Sequence, residues 1–376
     1  MKLKKALLVC LIPAFVIGGC GKTTTDEAEN TMKQETTAEE SAQDEQEMES
    51  TEAETSGEDA DEEAEVSKDL FAMDTYMTLT AYGEHAQEAV DKAAERVEEL
   101  DALLSTGDEN SEIYQLNQSG EATLSEEGGY LVERALELYQ KTDGAFDIAI
   151  YPVMQAWGFP TQEYHVPDDA TLKDRLALAD ASKVNYDKDT RKISFDQDGM
   201  EIDLGGIAKG YTSSQIMQIY QDCGVTSGLV NLGGNVQALG CKTDGSKWRV
   251  AIQSPDDTED YLGILEIENQ AVITSGGYER YFEEDGVTYH HIIDPATGYP
   301  ADSGLISVTI VSDDGTLADG LSTSLFIMGE EKAAQFWREN SDEFETIMET
   351  SDGKLYVTEG IADSLTTDRD VTVIEK

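Results

Sequence analysis

A break in composition near residue 69 limits where this chain can build a core. Residues 21 to 68 consist mainly of Glu, Thr, Ser and Ala, and residues 22 to 68 hold eighteen Asp and Glu against three Lys. No apolar periodicity runs through this segment, so it cannot bury enough surface to offset the chain entropy that folding removes. We therefore predict a disordered acidic linker over 21–68 and a folded domain over 69–376.

The first twenty residues, MKLKKALLVCLIPAFVIGGC, read as a basic head, a short apolar run and a small-residue ending. The apolar run from Ala6 to Ile17 is too short to span a bilayer, as is typical of a signal peptide. Two glycines precede Cys20, and these small residues give the signal peptidase room, while the Cys20 thiol would accept diacylglycerol. A plain secretory peptide with an incidental cysteine is the alternative. We predict a lipoprotein signal over 1–20 and an extracytoplasmic protein that its acyl chains anchor to the bacterial membrane.

The formal net charge of −52 over 376 residues excludes one class of partner. Binding a phosphate backbone needs Lys and Arg on the surface, so we predict no nucleic acid. An acidic surface does tolerate cations such as Mg²⁺. Cys223 and Cys241 remain after the signal, and the sequence leaves open whether they form a disulfide or stay as thiols. No Cys or His spacing indicates zinc.

Strand-like and helix-like segments do not alternate regularly from residue 70 onward, which predicts an α+β fold with mixed or antiparallel sheets and packed helices. Apolar residues at helical spacing predict a helix after residue 84. Further helices are predicted over 126–141, 207–222, 316–328 and 330–339. Strands are predicted over 70–83, 228–232, 247–253, 262–268, 271–274, 288–293 and 305–311.

The stretch EIDLGGIAKGYTSS, residues 201 to 214, holds the densest chemistry in the chain. Lys209 precedes Gly210, so the segment does not fit a Walker A loop, and the glycine spacing does not fit a Rossmann fingerprint. A glycine pair that opens a helix still lets backbone N–H groups approach an anion, and Lys209 adds a point charge. A tight strand-to-helix turn with a surface lysine is the structural alternative.

Four other segments accompany this stretch and favour a binding site. They are VNLGGNVQALG (230–240), TSGGYERYF (274–282), HHIIDPATGYP (290–300) and LADGLSTSLF (317–326). In the last of them Asp319 and Thr323 are four residues apart, which puts both on one helical face. A carboxylate and a hydroxyl are oxygen ligands that suit a hard cation. The alternative role for this pair is capping of a helix N-terminus.

The ordered motifs HIIDPATG, IDLGGIAKGY, NLGGN and ADGLSTSLF resemble those of the FAD:protein FMN transferases, the ApbE family. The resemblance also takes in AMDTYMTL, LLSTGDENSEIYQLN and DGAFDIAIYPVMQAWGF, so it runs from Met73 to beyond Met328. It implies the ApbE (T-fold-like) architecture and a bacterial, often lipid-anchored enzyme. Such enzymes split Mg²⁺-bound FAD, attach FMN through its phosphate to a Ser or Thr of a redox protein of the membrane or cell surface, and release AMP.

The resemblance also implies roles for individual residues, all numbered in this sequence. His291 corresponds to the active-site histidine, and the magnesium ligands would be the Gly206 carbonyl, Asp319 and Thr323. The expected FAD contacts are Met73, Ala145, Phe146, Asp147, Asp203, Lys209 and Ile293.

Transfer to a hydroxyl needs a proton acceptor, which His291 or Asp294 would supply. Histidine is the better suited by its ordinary pKa. On a strand the adjacent His290 would point to the opposite face. We predict His85 and His165 to be surface residues.

One position departs from the family pattern. Gly107 stands in STGDENSE where many members carry an aromatic residue. Loss of that ring predicts a more open site, in which hydrolysis of FAD to FMN and AMP competes with transfer to protein. Two alternative functions therefore accompany the transferase: a Mg²⁺-dependent FAD pyrophosphatase, and a flavin-binding lipoprotein without turnover.

Overall fold

The computed structural model describes residues 64–255, 257 and 260–376. The predicted signal peptide, its lipidation residue Cys20 and the linker up to residue 63 lie outside the described residues. The predicted boundary between linker and domain at residue 69 is too late, because residues 65 to 68 already belong to the first strand.

Four of the eight α-helices in the described part of the chain begin at side-chain caps that the sequence supplies. The Ser125 hydroxyl accepts a hydrogen bond from the Gly128 amide, and the Asp314 carboxylate accepts one from the Leu317 amide. The α-helices are α1 (Ala86–Leu104), α2 (Glu112–Ser119), α3 (Glu126–Lys141), α4 (Tyr151–Ala156), α5 (Asp169–Leu176), α6 (Gly205–Asp222), α7 (Gly315–Met328) and α8 (Glu330–Glu339). Short 3-10 helices span Ile148–Ile150, Ala181–Lys183 and Ala362–Ser364.

Strands of the described residues form one large sheet and three small ones. They are β1 (Glu65–Ala72), β2 (Thr75–Tyr82), β3 (Glu121–Thr123), β4 (Val184–Asp187), β5 (Lys192–Phe195), β6 (Ser227–Leu232), β7 (Asn235–Leu239), β8 (Trp248–Gln253), β9 (Tyr261–Ile267), β10 (Ala271–Gly276), β11 (Tyr281–Glu284), β12 (Val287–His290), β13 (Leu305–Ser312), β14 (Glu345–Thr350), β15 (Leu355–Thr358), β16 (Leu365–Thr366) and β17 (Val371–Ile374).

The large sheet has nine strands in the order β1-β2-β6-β7-β10-β13-β14-β15-β17. Neighbours in it are antiparallel except β15 and β17, which are parallel. The small sheets are β11-β12, β16-β9-β8 and β3-β5-β4. This mixed sheet with packed helices confirms the predicted α+β class.

Helices α1, α6 and α7 position the site, because each packs against the large sheet and α6 also packs against both of the others. Alternation along β2 explains the sheet's inner face: Met77, Leu79 and Ala81 are buried between more exposed neighbours. They pack with the apolar stripe of α1 in one core cluster. Part of the other face is covered by β8 and β9, with Trp248 buried there.

The predicted strand over 70–83 is wrong in one respect, because the structure has a hairpin there. Met73 and Asp74 form its turn with φ angles of 49° and 58°, and Ala72 pairs with Thr75. Two consecutive left-handed residues are the requirement of a two-residue hairpin turn, which Asn-Gly or Asp-Gly pairs usually signal. Met-Asp carries no such signal, so the sequence pattern gave no reason to divide the strand.

Other predicted elements agree closely with the structure. Helices α3 and α8 have the predicted bounds, and α6, α7, β6, β8 and β13 differ from theirs by at most two residues. The strand predicted over 288–293 ends instead at His290. Cys223 and Cys241 are both thiols and not a disulfide. Among the described residues, no helix has the length and apolarity that crossing a membrane requires.

Candidate active site

Lys209 lies in the second turn of α6 and is the electrostatic centre of the candidate site. Its positive charge acts on four titratable side chains and contributes a downward shift to the pKa of each one, even where burial raises that pKa overall. These side chains come from four separate segments and are Asp203, Glu279, His291 and Asp319. The predicted lysine therefore brings positive charge to a place where several chain segments meet.

Helices α6 and α7 touch through glycines. A Cβ on Gly210 would lie 2.1 Å from the Gly315 carbonyl oxygen and 2.6 Å from the Asp319 Cβ. A Cβ on Gly315 would lie 2.6 Å from the Gly210 carbonyl oxygen. Neither position can carry a side chain without moving backbone, so the glycines set how closely Asp319 approaches α6.

The Asp319 carboxylate is buried, and polar groups surround it. One oxygen accepts from the Gly210 amide at 2.8 Å and the other from Asn235 Nδ2 at 3.0 Å. Burial raises the pKa of Asp319, while the Lys209 charge and these two donors oppose the rise. Each carboxylate oxygen has two lone pairs, so both retain the capacity to bind a cation. Asp319 is not a helix cap, since Asp314 has that role in α7.

The other two predicted metal ligands lie close to this carboxylate along their helices. In an α-helix the N–H of a residue points toward the carbonyl four residues earlier, so the Gly210 amide points toward the Gly206 carbonyl. Asp319 accepts from that same amide. Thr323 is one turn further along α7 than Asp319, and its Oγ1 lies 3.3 Å from Ser275 Oγ.

This donor set fits Mg²⁺, because it offers only oxygen atoms: a carboxylate, a hydroxyl and a carbonyl. Within the described ranges no group of three or more His, Cys, Asp or Glu is arranged to hold a metal ion. A metal at this place would therefore depend on the mixed set and on oxygens from its substrate.

Asp203 lies just before α6, where the strand-to-helix turn was predicted. Its carboxylate accepts from the Gly205 amide at 2.8 Å, and its own amide donates to the Ile148 carbonyl. Burial raises its pKa, and the charges of Arg280 and Lys209 oppose that rise. Asp203 thus orders the turn while its partly exposed carboxylate faces two cations.

The Ala145–Phe146–Asp147 segment packs against the first turn of α6. Phe146 is buried, and its ring lies where a Cβ on Gly206 would come within 2.9 Å of Cε2. Asp147 directs its carboxylate to the backbone amides of Ala149 and Ala181, at 2.7 and 3.2 Å, so it caps the following turn. Burial raises its pKa to about 6. Ala145 is partly exposed between Gly144 and Phe146.

Met73 reaches the site from the β1–β2 turn. Its sulfur lies 3.8 Å from the Thr212 hydroxyl on α6. The next turn along the sheet, between β6 and β7, packs against this hairpin, because a Cβ on Gly233 would come within 2.2 Å of Thr75 Oγ1. That second turn also carries Asn235, the partner of Asp319.

The two adjacent histidines face different surroundings, as predicted. His290 Nε2 lies 3.2 Å from the Ala301 carbonyl, and its ring packs edge-on against Phe326. His291 Nδ1 lies 3.1 Å from the Arg280 carbonyl. Burial, together with the charges of Arg280 and Lys209, lowers the pKa of His291 to about 3, against a backbone hydrogen bond that raises it.

Two other residues of this segment have structural partners. The Asp294 carboxylate accepts from the Ala296 amide and the Thr297 hydroxyl, so it orders its own turn. Ile293 is 5% exposed and packs into the cluster around Trp157, which leaves little of its side chain for a ligand. His85 and His165 are exposed, as predicted.

Sequence reasoning missed three residues of the site: Asn235, Glu279 and Arg280. Glu279 is exposed to solvent, yet surrounding protein raises its pKa to about 7, with Lys209 opposing and Asp319 adding to the shift. The segments NLGGN and TSGGYERYF were recognised for their glycines, and only their charged and amide side chains would have indicated these three.

Comparison with known proteins agrees with this geometry. Residues 73–348 match the family described as the ApbE family. The chain belongs to that family. It is 35% identical over 262 residues to an FAD:protein FMN transferase of Klebsiella pneumoniae, which covers 69% of this chain and 81% of that protein. An FAD:protein FMN transferase of Treponema pallidum is 34% identical over 296 residues, with coverages of 73% and 82%.

Solved structures of ApbE proteins have the same fold. The ApbE protein of Thermotoga maritima superposes with a TM-score of 0.75 at 30% identity, covering 79% of this chain and 98% of that one. The flavin transferase ApbE of Vibrio cholerae gives 0.72 at 30% identity, with the same coverages. The chain is therefore an ApbE-type flavin transferase, an enzyme of the transferase class.

Proposed function

We propose that this ApbE-family protein is a Mg²⁺-dependent FAD:protein FMN transferase that modifies an extracytoplasmic redox protein and releases AMP. Its FAD-dependent relatives support the substrate. One observation supports the rest of the proposal. The Asp319 carboxylate and the His291 imidazole both lie within the electrostatic reach of the Lys209 ammonium.

The Lys209 end of the site suits the diphosphate of FAD. Lys209 supplies a cation, and the α6 N-terminus adds backbone amides and the positive end of the helix dipole. Gly206, Asp319 and Thr323 would hold the magnesium ion, which when bound neutralises charge on the phosphate oxygens. The negative charge of Asp203 would repel the diphosphate. Its carboxylate therefore fits the role of ordering the turn and attracting the cations Lys209 and Arg280.

His291 fits the role of proton acceptor. A Ser or Thr oxygen of the acceptor protein attacks the FMN phosphorus, a new P–O bond forms, and the P–O bond to AMP breaks. The hydroxyl proton passes to His291 Nε2, since Nδ1 faces a carbonyl. The Asp294 carboxylate is already occupied by its own turn, so it is the weaker candidate for this role.

Hydrolysis of FAD to FMN and AMP is a second activity that one observation favours. A Cβ at Gly107 would meet only Ser105 Oγ, at 3.8 Å, so the position is open. The side chain of the neighbouring Thr106 makes a hydrogen bond with the Tyr151 hydroxyl. Burial and the charge of Asp203 raise the pKa of Tyr151, so this loop lies near the Asp203 turn. Water that enters beside this loop would compete with the acceptor hydroxyl.

The location follows from the signal sequence alone. Cleavage before Cys20 and acylation of its thiol would hold the enzyme at the outer surface of the cytoplasmic membrane. Radiolabelled palmitate fed to the producing cells should label the chain, and Cys20→Ala should abolish the label; an unlabelled wild-type chain would contradict the anchor.

The function is tested with the full chain, FAD and an acceptor protein or peptide that presents a Thr hydroxyl. With MgCl₂ we expect covalent flavin on the acceptor, and AMP equal to the covalent flavin plus the free FMN; with EDTA we expect none of these products. AMP with FMN in solution but no labelled acceptor would indicate the pyrophosphatase. FAD binding without either product would indicate a non-catalytic flavin protein.

A further inference from the structure

His291 and Arg280 close the base of the β11–β12 hairpin. In that hairpin Tyr281 pairs with His290, so the residues just outside the pair are Arg280 and His291. The His291 amide donates to the Arg280 carbonyl at 3.0 Å. This hydrogen bond to the Arg280 backbone therefore fixes the backbone position from which the His291 side chain extends.

The same carbonyl also sets the proton on the ring. His291 Nδ1 lies 3.1 Å from the Arg280 oxygen, and a carbonyl can only accept, so Nδ1 must carry a hydrogen. A neutral ring with the proton on Nδ1 has its lone pair on Nε2. No hydrogen bond reaches Nε2 within the part of the chain that the structure describes, which leaves that atom available to a substrate.

The side chain of Arg280 is held in place by Phe159. Its Nη2 donates to the Phe159 carbonyl, and its guanidinium carbon lies 6.0 Å from the Phe159 ring centroid. The Phe159 ring in turn lies edge-on to His291, with centroids 6.5 Å apart. Phe159 is fully buried, so the guanidinium is held beside the imidazole on a rigid support.

Every charged or titratable group that acts on His291 is cationic or neutral. Arg280 comes from the segment before β11, Lys209 from α6, and His290 from the end of β12. Burial comes first among the causes that lower the pKa of His291, and the Arg280 charge is the first of the charges. Positive neighbours favour the neutral imidazole.

We propose that Arg280 is a positioning residue for FMN transfer, whose carbonyl fixes the Nδ1–H tautomer of His291 and whose guanidinium keeps the ring unprotonated. The inference rests on the proposed role of His291 as proton acceptor. Without FAD the ring is a weak base. The negative diphosphate beside Lys209 offsets the cations, so the ring becomes a stronger base when FAD is bound.

The test uses two substitutions that separate charge from contact. Arg280→Gln removes the charge but keeps an N–H donor for the Phe159 carbonyl, whereas Arg280→Lys keeps the charge. The chain has only four histidines, so the ring signals of ¹³C,¹⁵N-histidine-labelled full chain are assigned by comparison with His291→Gln. Tautomer and titration midpoint of His291 are then read directly, without catalysis.

We expect the wild-type ring to be neutral with its proton on Nδ1. Arg280→Gln should raise the His291 midpoint by roughly one pH unit, and Arg280→Lys should leave it within a few tenths. The acid limb of kcat for FMN transfer, where bound FAD brings the midpoint into a measurable range, should move upward by a similar amount in Arg280→Gln. KM for FAD should change less than threefold in either variant.

Several results would overturn the inference: an Nε2–H tautomer in the wild type, or equal midpoints in the wild type and Arg280→Gln, or equal shifts in both variants. The wild-type tautomer decides the carbonyl part even if a variant does not fold. A wild-type chain with the expected midpoints but no FMN transfer would contradict the proposed function instead, and would leave the coupling of Arg280 to His291 intact.

Discussion

The α6–α7 contact and the base of the β11–β12 hairpin form two sides of one site by different means. Backbone meets backbone at the first, where Gly210 and Gly315 leave no room for a Cβ. The second rests on stacked rings: Phe282 packs on Tyr164 and on Tyr289, with centroids 5.4 and 5.3 Å apart. Ring stacking tolerates small shifts that backbone contact does not.

This difference matches the two tasks of the proposed reaction. Binding a diphosphate and a metal ion needs oxygens held at fixed distances, which the glycine contact provides. Accepting a proton from a second protein needs a group near the surface, and His291 is partly exposed at the base of the β11–β12 hairpin. Substitutions on the two sides should therefore have distinguishable effects, which the following predictions use.

Asp319→Asn should have the largest effect, because it removes the one carboxylate among the three proposed magnesium ligands. We expect FMN transfer and FAD hydrolysis to fall together by roughly a thousandfold, since a metal ion contributes several kcal/mol to such a step. The fold should persist: Asn keeps the shape, and a flipped Asn235 amide can serve it. Product formation is measured by separating AMP, FMN and labelled acceptor.

Asp314→Asn is the matched control for Asp319→Asn on the same helix, because Asn retains the capping bond to the Leu317 amide. Its activity should equal that of the wild type. If Asp319→Asn loses transfer but keeps hydrolysis, the two sides of the site do not divide the work as described.

His291→Gln should reduce FMN transfer by roughly a hundredfold, the usual contribution of a positioned general base. FAD binding, followed by quenching of flavin fluorescence, should stay within threefold, because the diphosphate side is untouched. His290→Gln serves as the control: it loses the contact with Phe326 and some stability, but its transfer rate should change little. Equal losses in both variants would indicate a structural role for the whole segment.

Gly210→Ala tests the rigid side alone. The new methyl would meet the Gly315 carbonyl oxygen and Asp319 Cβ, so we expect unfolding free energy to fall by about 3 kcal/mol. Gly205→Ala in the same helix meets only its own Asp203 side chain, at 3.2 Å, and should be neutral within about 1 kcal/mol. Urea denaturation compares them; equal stabilities would mean that the helices can move apart.

Sequence patterns predicted best what local spacing controls. Helix α3 has a Ser cap and a following Gly144, and its predicted bounds are those observed. The β1–β2 turn was missed because Met73 and Asp74 adopt left-handed conformations that tertiary contacts impose. No element was predicted beyond residue 339, although β14, β15 and β17 complete the large sheet there.

The site was predicted in part, and the reason is the same. Lys209 and Asp319 stand in motifs that a family resemblance identifies, and the fold brings them together. The roles of Asp147 and Asp294 could be assigned only from the structure, in which both carboxylates accept hydrogen bonds from nearby backbone amides. Arg280 was missed because its importance comes from its carbonyl and from Phe159, 121 residues away.

The smallest expected effect concerns the open loop at Gly107, whose neighbour Thr106 hydrogen-bonds the Tyr151 hydroxyl. Gly107→Tyr should place a ring there without strain, because a Cβ meets only Ser105 Oγ. The ring should exclude water, so the ratio of acceptor-bound FMN to FMN in solution should rise by roughly fivefold, equivalent to about 1 kcal/mol of barrier. Gly107→Ala adds a methyl but no ring and is the control. An unchanged ratio in Gly107→Tyr would mean that water reaches the phosphorus by another route, most directly past the exposed Glu279 beside Lys209, and that the competition between the two reactions is set by the acceptor and not by this loop.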